Sequence, residues 1–213
     1  MMSSMSTALH IAILGAGNVG GALGRLWLEK GHKISFGLPD PEKTRRSIPP
    51  GAEVTTNRQA AAGAHVVVLT VPWPAAQKAV ETAGELDNKI LIDCTNPLAP
   101  DMQTLVVGTT RSAAETVAGW APKARVVKAF NTIGAPNYGN AQFGAERADG
   151  FYCGDDLAAK DVVRGLIEEI GLEPVDVGPL RNARCLEPLA LLWIDLAIHQ
   201  RQGTHHAFKL LRR

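Results

Sequence analysis

The sequence predicts an α/β protein built on a doubly wound parallel sheet. Three observations carry this prediction. Short β-branched runs alternate with helical patterns along the chain, and several of them, such as VVVL at 66–69, are continuously apolar, as strands covered on both faces are. A glycine-rich turn joins the first strand pattern to the first helical one. At 213 residues, 46% of them apolar, and with a formal net charge of +1, the chain is long enough for one well-buried globular domain plus an appendage. This excludes a disordered or fibrous protein.

The strand candidates, in order, are HIAIL (10–14), HKISF (32–36), AEVTT (52–56), HVVVLTVP (65–72), KILIDC (89–94) and ARVVKAF (124–130), followed by GFYCG and LEPVDVG. The helical segments between them suit right-handed crossovers, which parallel neighbours require. No internal repeat or low-complexity linker interrupts the series. Residues 1–180 are expected to form the sheet domain, and 181–213 a C-terminal helical segment packing on it or on a second subunit.

Composition narrows the function classes. Lysines and arginines are spread out, apart from the short TRRS and LLRR, so the chain carries no electrostatic footprint for nucleic acid. The start MMSSMSTALH lacks a basic segment leading into a long apolar run, and no apolar stretch reaches the ~20 residues of a membrane span. A cytoplasmic protein without membrane contact is expected. Cys94, Cys153 and Cys185 are odd in number and show neither CxxC nor Cys/His ligand spacing, which argues against disulfides and against a metal. They read as buried, inert thiols.

Gly15, Gly17 and Gly20 form GxGxxG directly after HIAIL and directly before the helical NVGGALGRLWLEKG. That context marks an NAD(P)-binding Rossmann fold: the first glycine turns the chain, the second lets a pyrophosphate approach the backbone, and the third lets helix pack on strand. The helix N-terminus then offers free N–H groups and partial positive charge to the phosphates. An NAD site places Asp or Glu about 20 residues further on, at the end of the second strand, and an NADP site places a cation there. Here Leu38 and Pro39 hold that position, and Asp40 serves equally as the N-cap of a helix starting at Pro41. Lys43, Arg45 and Arg46 either meet a 2′-phosphate or form a solvated face, which favours NADP over NAD.

Ligands of such sheets bind outside the carboxyl ends of the strands. TNP (95–97) and NTIGA (131–135) both follow strand candidates there, so Asn96 and Asn131 offer amides to a carboxamide or ring edge, or else make local turn bonds. Hydride transfer needs two rings held close in a dry pocket, and no acid or base is assigned. His199, Glu187 and Asp195 share one polar stripe of CLEPLALLWIDLAIHQ and read as a solvated face. The rest of that helix is apolar nearly all round: Leu186, Leu189, Ala190, Trp193, Ile194 and Ala197 share one stripe, and Leu191, Leu192, Leu196 and Ile198 cover most of the remainder. It is either enclosed by the sheet domain and the GTHHAFKLLRR tail, or lies between two subunits of a homodimer and, with Gly178–Leu180, walls the acceptor pocket.

GNVGGALGRLWLEKGH, VVLTVPW, SAAE (112–115), KAFNTIGA, YCGDD, DVGPLRNAR and FKLL together resemble the NADPH-dependent coenzyme F420 reductases, over nearly the whole chain and in the family's order. The resemblance extends to relatives sharing the domain, including metalloreductases of the six-transmembrane prostate type. It implies that Gly15, Gly17, Asn18, Val19 and Gly20 hold the pyrophosphate, and that Thr70, Pro72 and Trp73 line the adenine side. It also implies that Asn131, Thr132, Ile133, Gly134 and Ala135 lie where nicotinamide and acceptor ring meet. The family's phosphate readers are commonly Ser and Arg in a GSR sequence, where this chain has Gly37, Leu38 and Pro39, with Lys43 the one matching cation. The function so implied is an oxidoreductase passing hydride between NADP(H) and a flavin-like small-molecule acceptor, coenzyme F420 first. The alternatives are a flavin or ferric reductase of the same fold and a non-catalytic NAD(P)-sensing regulator.

Overall fold

A computed structural model describes residues 8–42 and 48–213. The first unit is β1 (His10–Leu14), α1 (Asn18–Glu29) and β2 (Lys33–Leu38), followed by β3 (Glu53–Thr56), α2 (Asn57–Ala62), β4 (Val66–Leu69), α3 (Trp73–Ala83) and β5 (Ile90–Asp93). Next come α4 (Ala113–Trp120), β6 (Arg125–Ala129), a short hairpin of β7 (Gln142–Phe143) and β8 (Glu146–Arg147), β9 (Asp149–Gly154), α5 (Leu157–Glu169), β10 (Glu173–Asp176) and α6 (Ala183–Ile194).

The main sheet has eight strands in the order β10-β9-β6-β5-β4-β1-β2-β3, so the chain winds outward in both directions from the β1/β4 boundary. Strands β1 to β6 pair in parallel. Alternation along the strands divides the core. Ile11, Ile13 and Val68 face α1 and α5, with Trp27 among them, and Ala12, Leu14, Val67 and Leu69 join the side carrying α2, α3 and α4. Trp27 donates from Nε1 to Leu166 O at 3.2 Å, tying α1 to α5. Capping boxes start α2 (Thr56 with Gln59) and α4 (Ser112 with Glu115).

The parallel reading fails at one step: β9 runs antiparallel to β6, with Ala129 opposite Tyr152, and β10 then follows β9 in parallel. The cause is the connection. Between β6 and β9 the chain has no crossover helix, only a 3₁₀ turn (Ala135–Asn137) and the β7/β8 hairpin, so it re-enters the sheet from the edge it left.

Two further expectations are corrected. Glu187 is 1% exposed, not part of a solvated stripe, whereas Asp195 and His199 are half-buried. Cys185 is exposed, unlike Cys94 and Cys153. The cause is the same for both: α6 lies with one face against the sheet and α4, so Ala183, Leu186, Glu187, Ala190 and Trp193 turn inward. Its other face is not enclosed, leaving Leu192 and Ile198 each 48% exposed. After a π-helical turn (Asp195–His199) the tail lies back on its own chain. Asn137 donates to Thr204 O at 2.8 Å, Leu210 N donates to Asp149 Oδ2 at 2.6 Å, and Lys209 pairs with Asp149 at 2.9 Å. Among the described residues no helix is long and apolar enough to cross a membrane.

Candidate functional site

The glycine turn connects β1 to α1. Gly15 has φ +108°, a conformation that side chains strain to adopt. A Cβ on Gly20 would lie 2.2 Å from Gly15 O, so turn and helix close on each other only without one. In front of Gly17 a Cβ would meet nothing within 4 Å, and no side chain caps α1 there. The backbone therefore presents N–H groups to an open face, the geometry an anion needs. Gly17 and Asn18 line a recess of about 340 Å³ together with Arg25, Ile48 and Pro49. Val19, the second residue of α1, is half-buried and packs on the core.

Thr70 serves the turn itself. Its hydroxyl lies 3.0 Å from both Leu14 O and Gly15 O and donates to these carbonyls, fastening β4 to the end of β1. The larger cavity, about 410 Å³, opens beyond it between β2 and α3, lined by Leu38, Pro39, Asn57, Val71, Ala75 and Lys78. Its mostly apolar walls suit the face of a planar ring. Val71 and Ala75 face it, whereas Pro72 begins α3 and the Trp73 ring stacks on Trp120 at 5.4 Å. Lys43, Arg45 and Arg46 lie outside the described residues, and so does most of the helix expected from Pro41.

At the other end, the ends of β5 and β6 bring Asn96 and Asn131 together. Asn131 Nδ2 donates to Asn96 Oδ1 at 3.1 Å and to Leu186 O at 3.1 Å, and Asn96 Nδ2 donates to Asn131 O at 3.3 Å. Asn131 is 7% exposed, and its Oδ1 has no partner in the protein, an acceptor held in reserve beside the strand ends. The residue before it, Phe130, has φ +63°, and Tyr138 OH holds that backbone by donating to Phe130 O at 2.7 Å. A bulky residue in this region is strained, and strain of this kind gathers at functional sites. Thr132 and Ile133 are buried and Ala135 is half-buried. Gly134 lies beneath Trp193: a Cβ there would be 2.3 Å from the indole, which donates from Nε1 to His206 O at 2.9 Å.

Below the paired amides lies a cluster that the sequence reading missed. Lys128 Nζ is 3.0 Å from Asp93 Oδ2 and 3.1 Å from Glu187 Oε1, all three side chains fully buried, and it also donates to Thr95 O. Glu187 accepts from the N–H groups of Ala113 (2.9 Å) and Ala114 (3.1 Å), capping α4 from a distant helix. Burial works against the charge on Lys128, but the two carboxylates outweigh it and move its pKa up. Burial raises Glu187 in spite of Lys128 and the α4 N–H groups. The available signal was a single charge inside each of two apolar runs, ILIDC and VVKAF. Cys94 and Cys153 are inert as expected: burial raises both thiols, Cys153 to about 12.

Residues 10–97 match the family model described as NADP oxidoreductase, coenzyme F420-dependent. The F420-dependent NADP reductase of Methanothermobacter thermautotrophicus is 30% identical over 91% of this chain and 91% of its own length. Rat metalloreductase STEAP3 is 32% identical over 87% of this chain, which spans 37% of that protein's length. A crystal structure of a proposed F420-dependent NADP reductase from Arthrobacter sp. FB24 superposes with a TM-score of 0.88 at 30% identity, over 96% of this chain and all of the other.

Proposed function

The chain belongs to the F420-dependent NADP reductase family, and we propose that it passes hydride between NADP(H) and a flavin-like acceptor, with coenzyme F420 the leading candidate. The observation that carries this reading is the open backbone cradle at Gly17, continuous with the turn at Gly15 and Gly20 and flanked by an apolar cavity of about 410 Å³. The fit of NADP is supported at the far end by the unpartnered Oδ1 of Asn131, an acceptor suited to a carboxamide N–H.

The nicotinamide would supply the hydride, as the cofactor does in this chemistry. The chain's part is to bind, orient and exclude water. The N–H groups at Gly17, Asn18 and Val19 take the pyrophosphate, and Leu38, Pro39 and Val71 enclose the adenine. Asn96 and Asn131 fix the nicotinamide edge, with Ile133, Gly134 and Ala135 beside the acceptor. Leu38 and Pro39 leave the 2′-phosphate to cations outside the described residues, Lys43 first. We further propose a cytoplasmic homodimer, joined through the exposed apolar face that α6 forms at Pro188 and Leu192 with Ile198 of the following π-helical turn, with residues 181–213 as an accessory segment to a 1–180 nucleotide domain.

The test is turnover of NADPH and NADH against coenzyme F420, flavin mononucleotide and ferric chelates. Preferred use of NADPH with F420 is expected. The likeness to the metalloreductase favours the second reading, flavin or ferric reduction, and tight NADPH binding without turnover of any acceptor would replace both with a nucleotide sensor. Light scattering is expected to give twice the chain mass, and Leu192→Glu to halve it. A parent monomer at micromolar concentration would remove the dimer.

A further inference from the structure

A closed polar circuit joins the strand ends to α6. Asp93 accepts from Thr95 N at 2.9 Å and Thr95 Oγ1 at 2.7 Å, fixing the residue before Asn96. Lys128, three residues before Asn131, bridges Asp93 and Glu187. Glu187 follows Leu186, whose carbonyl holds Asn131. Every member of the circuit is thereby tied either to the amide pair or to α6.

Such a device is costly where apolar packing would serve. Desolvating three charges is expensive, and well-packed apolar residues in their place are commonly as stable. What charges add is geometry: an ammonium between two carboxylates tolerates a narrow range of separations, whereas apolar surfaces slide. Two turns further along α6, Trp193 rests on Gly134. The amide pair and this wall are thus joined through α6, which carries the Leu186 carbonyl, the Trp193 ring and the Glu187 carboxylate paired with Lys128.

We propose that Asp93, Lys128 and Glu187 are positioning residues that set the separation between the nicotinamide edge, held by Asn96 and Asn131, and the acceptor wall that α6 builds with Trp193, and so govern the rate of hydride transfer rather than the affinity for NADP. The inference rests on the hydride-transfer reading above. Rates of transfer between two held rings depend steeply on such a separation.

The test neutralises the cluster while keeping its volume, by combining Asp93→Asn, Lys128→Met and Glu187→Gln. A folded variant is expected to bind NADPH within about twofold of the parent by calorimetry, while kcat with the acceptor falls roughly tenfold or more, a drop that a merely structural role at restored stability would not produce. The primary isotope effect with 4-deuterated NADPH is expected to become more temperature-dependent. Unchanged kcat and isotope effect in the folded variant would overturn the inference and leave the cluster as a fold element. Should the triple variant not fold, Glu187→Asp keeps every charge and shortens one arm by a methylene, and the same split between kcat and affinity is expected; kcat within twofold of the parent overturns the inference. A parent that turns over no acceptor fails the hydride reading instead. The placement is then read in the NADPH complex as energy transfer to the nicotinamide, taking the part lost in Trp193→Phe. That part is expected to shrink in the neutralised or shortened variant at equal NADPH affinity, and its persistence overturns the inference.

Discussion

The glycine turn between β1 and α1 and the amide pair after β5 and β6 lie at the same, carboxyl end of one sheet's strands, and they are built by opposite means. At the turn, main chain does the work: one left-handed glycine, one close approach, and a helix end without a capping side chain. No buried charge is involved. At the amide pair, the backbone is held by side chains from elsewhere, with three buried charges below it and a strained Phe130 braced by Tyr138. Backbone sites suit a diphosphate, which every member of a cofactor class shares. Side-chain networks suit the proposed acceptor end, where the separation of two rings would matter.

The largest effect that would break this contrast is at Lys128. Lys128→Met leaves Asp93 and Glu187 buried without their cation, and is expected to cost roughly 3–5 kcal/mol. In a chain of this size that lowers the melting temperature on the order of 10 °C. Thermal unfolding checks it, and an unshifted melt would mean the cluster is not charged as described. At the turn, Gly17→Asp should leave the melt unchanged, because a Cβ there meets nothing, but place a negative charge where the proposed pyrophosphate would approach. A loss of NADPH affinity of roughly a hundredfold, about 2.7 kcal/mol, is expected by calorimetry. Equal affinity in the folded variant would remove the site from Gly17.

Gly134→Ala sharpens the comparison from the proposed acceptor side. Its methyl would lie 2.3 Å from the Trp193 ring, so indole or backbone must shift, at about 1–3 kcal/mol of stability. Turnover is expected to fall more than NADPH affinity, and the reverse split would place Gly134 at the nucleotide end. The smallest effect is at the rim, where Arg184 pairs with Glu115 and holds its carboxyl down at about 2, against an ordinary 4.5. A depressed carboxylate stabilises the fold above pH 4.5 and loses that contribution as pH falls towards 2. The melting temperature of Glu115→Gln should therefore decline less steeply than the parent's between those values, and parallel curves would show the pair to be inert.

The asymmetry also governs what could be read in advance. The turn was legible because its parts are neighbours in the chain: strand, glycines and helix follow one another, and their spacing is the geometry. Leu38 and Pro39 were legible as a departure, and they do line the large cavity. Thr70, by contrast, braces the turn carbonyls rather than the cavity, and Trp73 spends its ring on Trp120. The first depends on how β4 pairs with β1, and the second on how α3 packs beside α4. Glu187 was misread for a related reason: helical periodicity assigns a carboxylate to the wet face unless a cation waits on another element.

By itself the sequence determined the alternation of strands and helices, the parallel winding from β1 to β6 and the glycine cradle. These follow from side-chain period, crossover handedness and backbone sterics, which act over a few residues or one supersecondary unit. Only the tertiary structure decided that β9 reverses, that the tail folds back on its own chain, and that Glu187 is buried. Lys128 meets Asp93 across 35 residues of chain, and Glu187 caps Ala113 across 74. A buried charge is tolerable only where its partner arrives, and arrival is a property of the assembled sheet rather than of any segment within it.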